Sequence, residues 1–405
     1  MLSLQEALKI NFNLPLLDLK TEEKSIFDAY SFILAQDIYI TRPLPAFDNS
    51  AMDGYAINLS FNGDRKVENT ILAGVDSSNI ILQDNQAIRI MTGAMIPQNA
   101  NAVVPFEDAE LKNGVLKIYK EFSDGANIRK KGEEKAQGDL ALNKGRQLEF
   151  GDIGLLASQG LDRVLVYQKP SIGVFSSGNE VKEVGTQALE HQIYNINAPS
   201  IIATLNAYQH HCNYLGILKD DLTLEKEILK ASEKYDVIIT SGGVSMGNAD
   251  LLEEILLKNQ AQIFYHKINL KPGKPIMIAK LNQCYFFCLP GNPLSAISNL
   301  LAFVIPILQR LSNASDFYPS FIKAKSSTPL YFKNKRSHII LGQYQQGIFT
   351  PYKEGKYSPS AISTFCNCEA FAIFDESISE IKKDQELHII TYKTNFTHSM
   401  GFINQ

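Results

Sequence analysis

Four short polar loops hold the residue types in this chain that are best able to do chemistry. They are residues 176–180, 220–221, 241–245 and 290–293, and each follows an apolar run that predicts a β-strand. In Ser241-Gly-Gly-Val-Ser245 the two glycines let a ligand approach the backbone closely, and successive N–H groups can form an anion-binding nest. An ordinary strand-to-helix turn explains the same five residues equally well.

Three carboxylates near these loops, Glu180, Asp220 and Asp250, have the chemistry of a magnesium site. Mg²⁺ prefers oxygen ligands and usually shares its coordination shell with substrate phosphates. Any one of these acids alone is better explained as a helix cap, and Asp250 in particular begins a predicted helix.

Three lysines, Lys267, Lys271 and Lys274, lie within eight residues. Pro272 and Gly273 force a turn among them, so we expect a loop rather than a helix. Ammonium groups on a constrained loop suit phosphate or another tetrahedral oxyanion. A solvated surface loop is the alternative, which composition alone slightly favours.

Residues 47–55, with the sequence F-D-N-S-A-M-D-G-Y, stand between the predicted helices and the β-rich insert and concentrate four polar side chains: Asp48, Asn49, Ser50 and Asp53. Asx turns explain part of this density. Polar residues on a loop are nevertheless a better functional indication than residues of a core.

Composition and missing motifs exclude several other functions. The chain has 39 Lys and Arg against 43 Asp and Glu, a net charge of −4, so it lacks the basic footprint of non-specific nucleic-acid binding. It has no G-x-x-x-x-G-K-[ST], G-x-G-x-x-G or H-E-x-x-H sequence. Five cysteines without metal-ligand spacing indicate a reducing compartment and argue against zinc. The longest apolar run, residues 300–308, is far shorter than the roughly 20 residues that span a bilayer. We therefore expect a cytoplasmic protein that binds neither nucleic acid nor a membrane.

The polar loops must be positioned by the strands and helices that alternate between residues 169 and 311. This alternation predicts a three-layer α/β domain with a mostly parallel sheet. In such sheets ligands bind beyond the carboxyl ends of the strands, where the four loops lie.

The rest of the chain predicts further domains, so that the whole is an α/β multidomain protein. Residues 1–41 and 142–168 predict a helical domain, in which one helix is expected to begin at Thr21. Residues 42–141 predict a β-rich insert in that domain, and residues 312–405 a small C-terminal β domain.

Five motifs occur in an order that matches a known family. They are F-D-N-S-A-M-D-G-Y-A (47–56), M-T-G-A (91–94), S-G-G-V-S (241–245) with Gly247 and Asp250, K-P-G-K-P (271–275) and L-P-G-N-P (289–293). Together they closely resemble the molybdopterin molybdotransferase family, represented by the bacterial MoeA type and the E domain of gephyrin. The resemblance covers essentially the whole chain, and five motifs in order are highly specific although no single one is.

The resemblance implies an enzyme of molybdenum cofactor biosynthesis. Members of this family insert molybdate into adenylylated molybdopterin and release AMP, assisted by Mg²⁺ or Zn²⁺. They are elongated homodimers in which the pterin-binding α/β domain of one subunit faces the β-rich insert of the other. The adenylylated substrate would come from a molybdopterin adenylyltransferase.

Carried over position by position, the resemblance also assigns a role to each motif. The phosphate and pterin would be held by Ser241, Gly242, Gly243 and Ser245. The strand-end wall would consist of Pro290, Gly291, Asn292 and Pro293. The acids for metal or substrate would be Glu180, Asp220 and Asp250. Molybdate or pyrophosphate would meet Lys267, Lys271 and Lys274. The partner subunit would supply Asp48, Asn49, Ser50, Asp53 and Thr92.

Glu134 departs from the family pattern, which usually has Gly-Glu-Asp after a basic stretch. Here residues 129–134 read R-K-K-G-E-E, so that Glu134 stands where a catalytic Asp is expected. The extra methylene keeps the charge but moves it by roughly an ångström or more. We interpret this change, and Met246 in place of a smaller residue, as drift in an active enzyme.

Three alternatives stay open at the level of sequence. The preceding adenylylation step is catalysed by single-domain sister enzymes, but these lack the insert and the C-terminal domain. A non-catalytic scaffold would keep the fold without the chemistry. Tungstate is a tetrahedral dianion of nearly the same size as molybdate, so the sequence does not separate the two.

Overall fold

The structure is a computed structural model that describes residues 1–219, 221, 223–242, 249–333 and 335–393. Four predicted site residues are affected by these gaps. Asp220, Gly243 and Ser245 lie outside the described residues, as does the side chain of Asp250.

The N-terminus consists of short elements: α1 (Leu4–Asn11), β1 (Thr21–Ser25), β2 (Ile33–Leu34) and β3 (Ile38–Tyr39). Helix α1 begins at a capping box, in which the Glu6 N–H donates to the Ser3 hydroxyl and the Ser3 N–H donates to the Glu6 carboxylate. Its buried Leu4 and Ala7 belong to the same core as the α/β unit described below.

The regular elements of residues 49–129 are strands apart from one short 3-10 helix, Phe106–Asp108. The strands are β4 (Asn49–Ser50), β5 (Gly54–Ile57), β6 (Arg65–Ile71), β7 (Gln86–Ile90), β8 (Ala102–Pro105), β9 (Ala109–Lys112), β10 (Val115–Ile118) and β11 (Ile128–Arg129). Six of them form one sheet in the order β8-β5-β7-β6-β10-β9, while β4 pairs with β11. The fully buried β5 directly follows the polar loop at residues 47–53 and anchors it.

The chain then returns to the N-terminal elements through β12 (Leu140–Leu142), α2 (Phe150–Ser158) and β13 (Arg163–Tyr167). Strand β13 pairs antiparallel with both β1 and β2. The N-terminal unit is therefore a small sheet with a helix, and the prediction of a helical domain is wrong.

The helix predicted from Thr21 is replaced by strand β1, a turn and strand β2. Phe27 and Tyr30, two residues of the apparent helical stripe, are 88% and 54% exposed, whereas Leu34 is fully buried. Ser31 has φ +66, a left-handed conformation that no α-helix contains. The conformation of this segment is determined by its pairing with β13, which lies far along the chain. Local periodicity carries no information about such a partner.

The α/β unit contains the elements that hold the predicted loops. They are β14 (Ile172–Ser177), β15 (Val181–Lys182), β16 (Ile193–Tyr194), α3 (Asn197–Ala207), β17 (Cys212–Leu218), α4 (Leu224–Lys234), β18 (Val237–Ser241), α5 (Ala249–Lys258), β19 (Gln262–His266), β20 (Leu270–Lys271), β21 (Met277–Leu281), β22 (Cys284–Leu289) and α6 (Pro293–Leu311).

The main sheet of this unit is mixed, with the strand order β17-β14-β18-β22-β21-β19. The first four strands are parallel, but β21 runs antiparallel to β22, and β19 antiparallel to β21. A two-residue turn containing Asn282, with φ +54, joins β21 to β22, and so short a connection can only make a hairpin. The expected mostly parallel sheet is thus correct for four strands and wrong for the other two.

Alternating side chains of the sheet face two helical layers. Val237 and Ile239 pack in the core that contains α3 and α6, whereas Ile238 packs in the core that contains α4 and α5. The unit therefore has three layers, in which the sheet lies between two layers of helices.

Helix α6 is long and apolar enough to cross a membrane by length and composition alone. In its most apolar window, however, 89% of the residues are buried inside the protein, which is the burial of a core helix. A π-helical segment, Leu300–Val304, lies in its middle.

The C-terminal strands are β23 (Ile322–Ser326), β24 (Leu330–Tyr331), β25 (Ser337–Gln345), β26 (Ile348–Pro351), β27 (Ala370–Phe374), β28 (Glu380–Ile381) and β29 (Glu386–Thr391). Five of them close into a small barrel because β25 pairs with β27 as well as with β26. Strand β20 of the α/β unit adds to β25 and joins the two units.

Candidate active site

A cleft of about 660 Å³ opens at the carboxyl ends of β14, β18 and β22. These strands are adjacent and parallel, so the loops that follow them meet at one edge of the sheet. Seven predicted site residues line the cleft: Glu180, Ser241, Gly242, Pro290, Gly291, Asn292 and Pro293. The structure thus brings these seven residues of the α/β strand-end motifs together at one cleft.

Gly242 lies where the backbone segments come too close for any side chain. Its φ is +91, and a Cβ there would stand 2.7 Å from the Ser177 hydroxyl and 2.8 Å from the Ser177 carbonyl oxygen. The Gly242 N–H donates to the Leu289 carbonyl at 3.2 Å. The ends of three strands are thereby packed backbone to backbone, which leaves peptide groups at the floor of the cleft.

Two helices begin at the cleft, α3 at Asn197 and α6 at Pro293. The helix dipole is positive at this end, so both termini favour an anion. Pro199 and Pro293 have no N–H, and the Ala198 and Ser295 N–H groups already donate to the Asn195 side chain and the Pro359 carbonyl, so this preference comes mainly from the dipoles. The Asn197 side-chain amide donates to the Gly291 carbonyl at 2.7 Å and links the two termini. Within the described chain no lysine or arginine lines the cleft, so the helix ends are the groups there that favour an anion.

The three predicted lysines do not line this cleft in the described structure. Lys271 instead lines a separate cavity of about 590 Å³ against the C-terminal barrel. Lys274 directly precedes Pro275, which does line the cleft, and Lys267 is half-buried with φ +71. The loop is fixed by α6, because the side-chain amide of Asn299 donates to the Gly273 carbonyl at 3.0 Å.

In the described part of the chain, Glu180 is the one acidic residue that lines the cleft. Gly178 has φ +132, and a Cβ there would lie 2.8 Å from one Glu180 carboxylate oxygen, so the acid folds back over this glycine. Among the described residues no three His, Cys, Asp or Glu are grouped so that they could hold a metal. The other two predicted ligands, Asp220 and the Asp250 side chain, are in the part that is not described.

The predicted acids of the insert are held by backbone N–H groups. One Asp53 oxygen accepts from both the N–H and the hydroxyl of Thr92, each at 2.7 Å, and these bonds lower the pKa of Asp53. Asp48 accepts from the Lys131 N–H at 2.8 Å and from the Lys130 ammonium at 3.0 Å. Partial burial opposes these bonds, but the net pKa of Asp48 is lowered. Both acids are therefore held as charged carboxylates.

Asn49 and Ser50 shape the loop that carries these acids. The Ser50 hydroxyl donates to the Met52 carbonyl at 2.6 Å, and the Asn49 amide donates to the Phe47 carbonyl at 3.1 Å. The Gly93 N–H donates to the Ser50 carbonyl and so ties the M-T-G-A motif to the same loop. Five predicted residues are thus brought together in the insert, although none of them lines the cleft of its own chain: Asp48, Asn49, Ser50, Asp53 and Thr92.

Glu134 is exposed, and its backbone N–H donates to the Leu44 carbonyl at 2.9 Å. The neighbouring Glu133 carboxylate accepts from the Lys130 N–H at 2.8 Å. Lys130 therefore connects this turn, which carries Glu134, to Asp48 of the polar loop of the insert.

Two family models match the chain. Residues 2–160 match the MoeA N-terminal region (domain I and II), and residues 173–310 match a probable molybdopterin binding domain. A molybdopterin molybdenumtransferase from Staphylococcus aureus is 35% identical over 310 residues, which cover 75% of this chain and 73% of that protein. The chain belongs to the molybdopterin molybdenumtransferase family.

Further relatives extend the similarity along the chain. A molybdopterin molybdenumtransferase from Haemophilus influenzae is 34% identical over 376 residues, 91% of this chain and 90% of that protein. The crystal structure of a molybdopterin biosynthesis MoeA protein from Pyrococcus horikoshii, 28% identical, covers 97% of this chain and 100% of its own, with a TM-score of 0.78.

In this member of the molybdopterin molybdenumtransferase family, sequence reasoning missed part of the cleft. The additional polar side chains are Ser176, Ser177, Asn195, Asn197 and Ser360. The first two are the last residues of β14, in the segment of which only Glu180 was assigned. The asparagines stand in N-I-N-A-P (195–199) at the start of α3, a helix-start signal that could have marked them. Ser360 comes from the C-terminal unit, and no local signal connects it to the cleft.

Proposed function

We propose that this chain inserts molybdate into adenylylated molybdopterin and releases AMP, as the transferase step of molybdenum cofactor biosynthesis. The observation that carries this proposal is the strand-end cleft, in which two helix N-termini meet the Gly242 backbone. It occurs in a chain that is 35% identical to a protein named molybdopterin molybdenumtransferase.

The cleft suits a substrate with several negative charges. Adenylylated molybdopterin contains a pyrophosphate, and molybdate is a dianion. The positive ends of the α3 and α6 dipoles and the loop that begins at Gly242 would bind the phosphates. Lys274, which directly precedes the cleft residue Pro275, would add positive charge from the adjoining loop. The sulfur atoms that take up the metal belong to the substrate, so the protein needs no nucleophile of its own and acts by binding and orienting anions.

Mg²⁺ fits the one described acid of the cleft, since a carboxylate is a ligand that this ion prefers. Glu180 would hold it together with Asp220 and Asp250. Bound there, Mg²⁺ would supply charge neutralisation at the leaving adenylate.

The insert would complete the site from a second copy of the chain, in a cytoplasmic homodimer. Asp48, Asn49, Ser50, Asp53 and Thr92 form one polar cluster that does not line the cleft of its own chain, which supports a role at the partner's cleft. Glu134 would act with this cluster. A molybdopterin adenylyltransferase would supply the substrate.

Single-turnover release of AMP from adenylylated molybdopterin, with and without molybdate, tests this proposal. We expect release that depends on molybdate in the unmodified chain and is lost in Glu180→Ala. Glu190→Ala, an exposed acid of the same segment that does not line the cleft, is the matched control and is expected to keep full activity. Tight binding of the substrate without any AMP release would refute the proposed enzymatic activity and indicate a protein that only binds the substrate.

A further inference from the structure

A chain of four hydrogen-bonded side chains runs beneath the cleft. The Ser176 hydroxyl donates to the Asn195 side-chain oxygen, Oδ1, at 2.7 Å, and the Asn195 side-chain nitrogen, Nδ2, donates to the Tyr214 hydroxyl at 2.8 Å. The Tyr214 hydroxyl in turn donates to the Glu183 carboxylate at 2.6 Å. Ser176 and Asn195 are 2% and 3% exposed, so these two polar groups depend on each other rather than on water.

This chain of bonds ties together three parts of the cleft wall. The Asn195 Oδ1 also accepts from the Ala198 N–H at 3.2 Å, in the first turn of α3. The Asn195 N–H donates to the Lys182 carbonyl, and the Ile193 N–H donates to the Glu180 carbonyl. The end of β14, the segment that carries Glu180 and the N-terminus of α3 are therefore held by one central residue.

Tyr214 and Glu183 lie at the outer end of this chain, and neither lines the cleft. The orientation of the Asn195 amide is fixed, because its oxygen already accepts from two donors and its nitrogen must face Tyr214. Burial, with the Glu183 carboxylate, raises the pKa of Tyr214, so the phenol stays a donor throughout the working pH range. Removal of this single hydroxyl would leave the Asn195 amide without its acceptor.

We propose that Tyr214 and Glu183 are positioning residues for the transferase reaction. Through Asn195 they set the direction of the α3 N-terminus and the place of Glu180, which together receive the charged part of the substrate. This inference rests on the proposed function for its kinetic consequence, but its structural consequence holds in the protein without substrate.

The test compares Tyr214→Phe, Glu183→Ala and Glu183→Gln with Tyr119→Phe. Tyr119 is the matched control because its hydroxyl also donates to a glutamate, Glu110, but in the insert. For each variant, kcat and KM for adenylylated molybdopterin are measured separately. Hydrogen exchange of peptides from residues 180–198 and the midpoint of thermal unfolding are measured without substrate.

Tyr214→Phe and Glu183→Ala are expected to lower kcat/KM about 10-fold, mainly by a higher KM, because the groups that bind substrate lose their common anchor. Glu183→Gln keeps the accepting oxygen and is expected to stay within about twofold of the unmodified chain, as is Tyr119→Phe. Exchange over residues 180–198 is expected to be faster only in the first two variants.

Unchanged KM and unchanged exchange in Tyr214→Phe would overturn the inference, as would a loss in Glu183→Gln as large as in Glu183→Ala. A lower unfolding midpoint with unaltered KM would also refute it, since that is the result of a merely structural role. If the unmodified chain releases no AMP, the proposed function fails, and the exchange comparison still decides whether these residues position the cleft.

Discussion

Replacement of Gly242 by alanine tests whether the close backbone packing at the strand ends builds the cleft. The new Cβ would lie 2.7 Å from the Ser177 hydroxyl and 2.8 Å from the Ser177 carbonyl oxygen. The hydroxyl can rotate away, but the carbonyl can move only with the end of β14. We therefore expect this substitution to displace the cleft floor as well as to destabilise the protein.

The two contributions can be separated with Gly74→Ala. Gly74 has φ +87, close to the +91 of Gly242, but a Cβ there would meet nothing within 4 Å. Gly74→Ala carries only the cost of the left-handed conformation, about 1–2 kcal/mol of unfolding free energy. Gly242→Ala adds an overpacking cost of about 1–3 kcal/mol. A shift of about 1 Å at the reacting groups is expected to lower turnover up to about 100-fold.

The assay is the midpoint of thermal unfolding together with kcat/KM for molybdate-dependent AMP release. Both variants are expected to unfold at lower temperature than the unmodified chain, and Gly242→Ala at the lower temperature of the two. Only Gly242→Ala is expected to lose activity. Full activity in Gly242→Ala, or equal losses of activity in both variants, would refute the assignment of the Gly242 backbone to the site.

Three further predictions concern the acids of the site. If the site lies between subunits, Asp53→Ala and Glu180→Ala are each inactive alone, but an equal mixture of the two variants regains about a quarter of the activity. Half of the dimers in the mixture contain one subunit of each variant, and each of these has one intact site out of two. No recovery of activity on mixing would place both acids in one subunit. Glu134→Asp is expected to keep kcat/KM within about twofold of the unmodified chain, whereas Glu134→Ala is expected to lose most of its kcat/KM, since the charge matters more than the methylene. Equal activity of the unmodified chain and both variants would show that Glu134 has no role in the site. Thr92→Ala is expected to raise the pKa of Asp53 towards its ordinary 3.8, as measured by carboxyl ¹³C NMR, while the Ser78-bonded Asp76 stays unchanged. Because the Asp53 pKa is lowered on folding, its contribution to stability is present above that ordinary value and is lost as the pH falls through the folded pKa.

The α/β unit was largely predictable because each of its signals is local. Helix Leu224–Lys234 was predicted with the bounds that the structure gives, and the strand-end loops follow runs of apolar residues that are buried on both faces of the sheet. Parallel strands place their carboxyl ends at one edge, so Ser241, Pro290 and Glu180 could be brought together before any coordinates.

The predictions failed where a partner distant in sequence decides the conformation. Thr21–Ser25 is a strand only because β13 lies beside it, and its charged composition carries no sign of that partner. The loop of residues 267–274, which carries the three lysines, is a second example. Asn299 of α6, distant in sequence, fixes the turn of this loop, and Lys271 lines the neighbouring cavity instead of the cleft. Tertiary contacts of this kind override both periodicity and composition.

The insert shows the limit of reasoning within one chain. Its loop could be marked as functional from residue types alone, and the bond from Thr92 to Asp53 joins two motifs that are far apart in sequence. In the proposed homodimer its relation to the cleft would depend on how two copies of the chain meet, which no spacing within the sequence encodes.

The most direct test of the central claim is the stoichiometry of a single turnover. Adenylylated molybdopterin and molybdate are mixed with the chain, and the AMP released is compared with the molybdenum that stays bound to the pterin. The account predicts one molybdenum incorporated for each AMP, and neither product in Glu180→Ala. Release of AMP without incorporation of molybdenum would show that the chain merely hydrolyses adenylylated molybdopterin, which would contradict the proposed transferase activity.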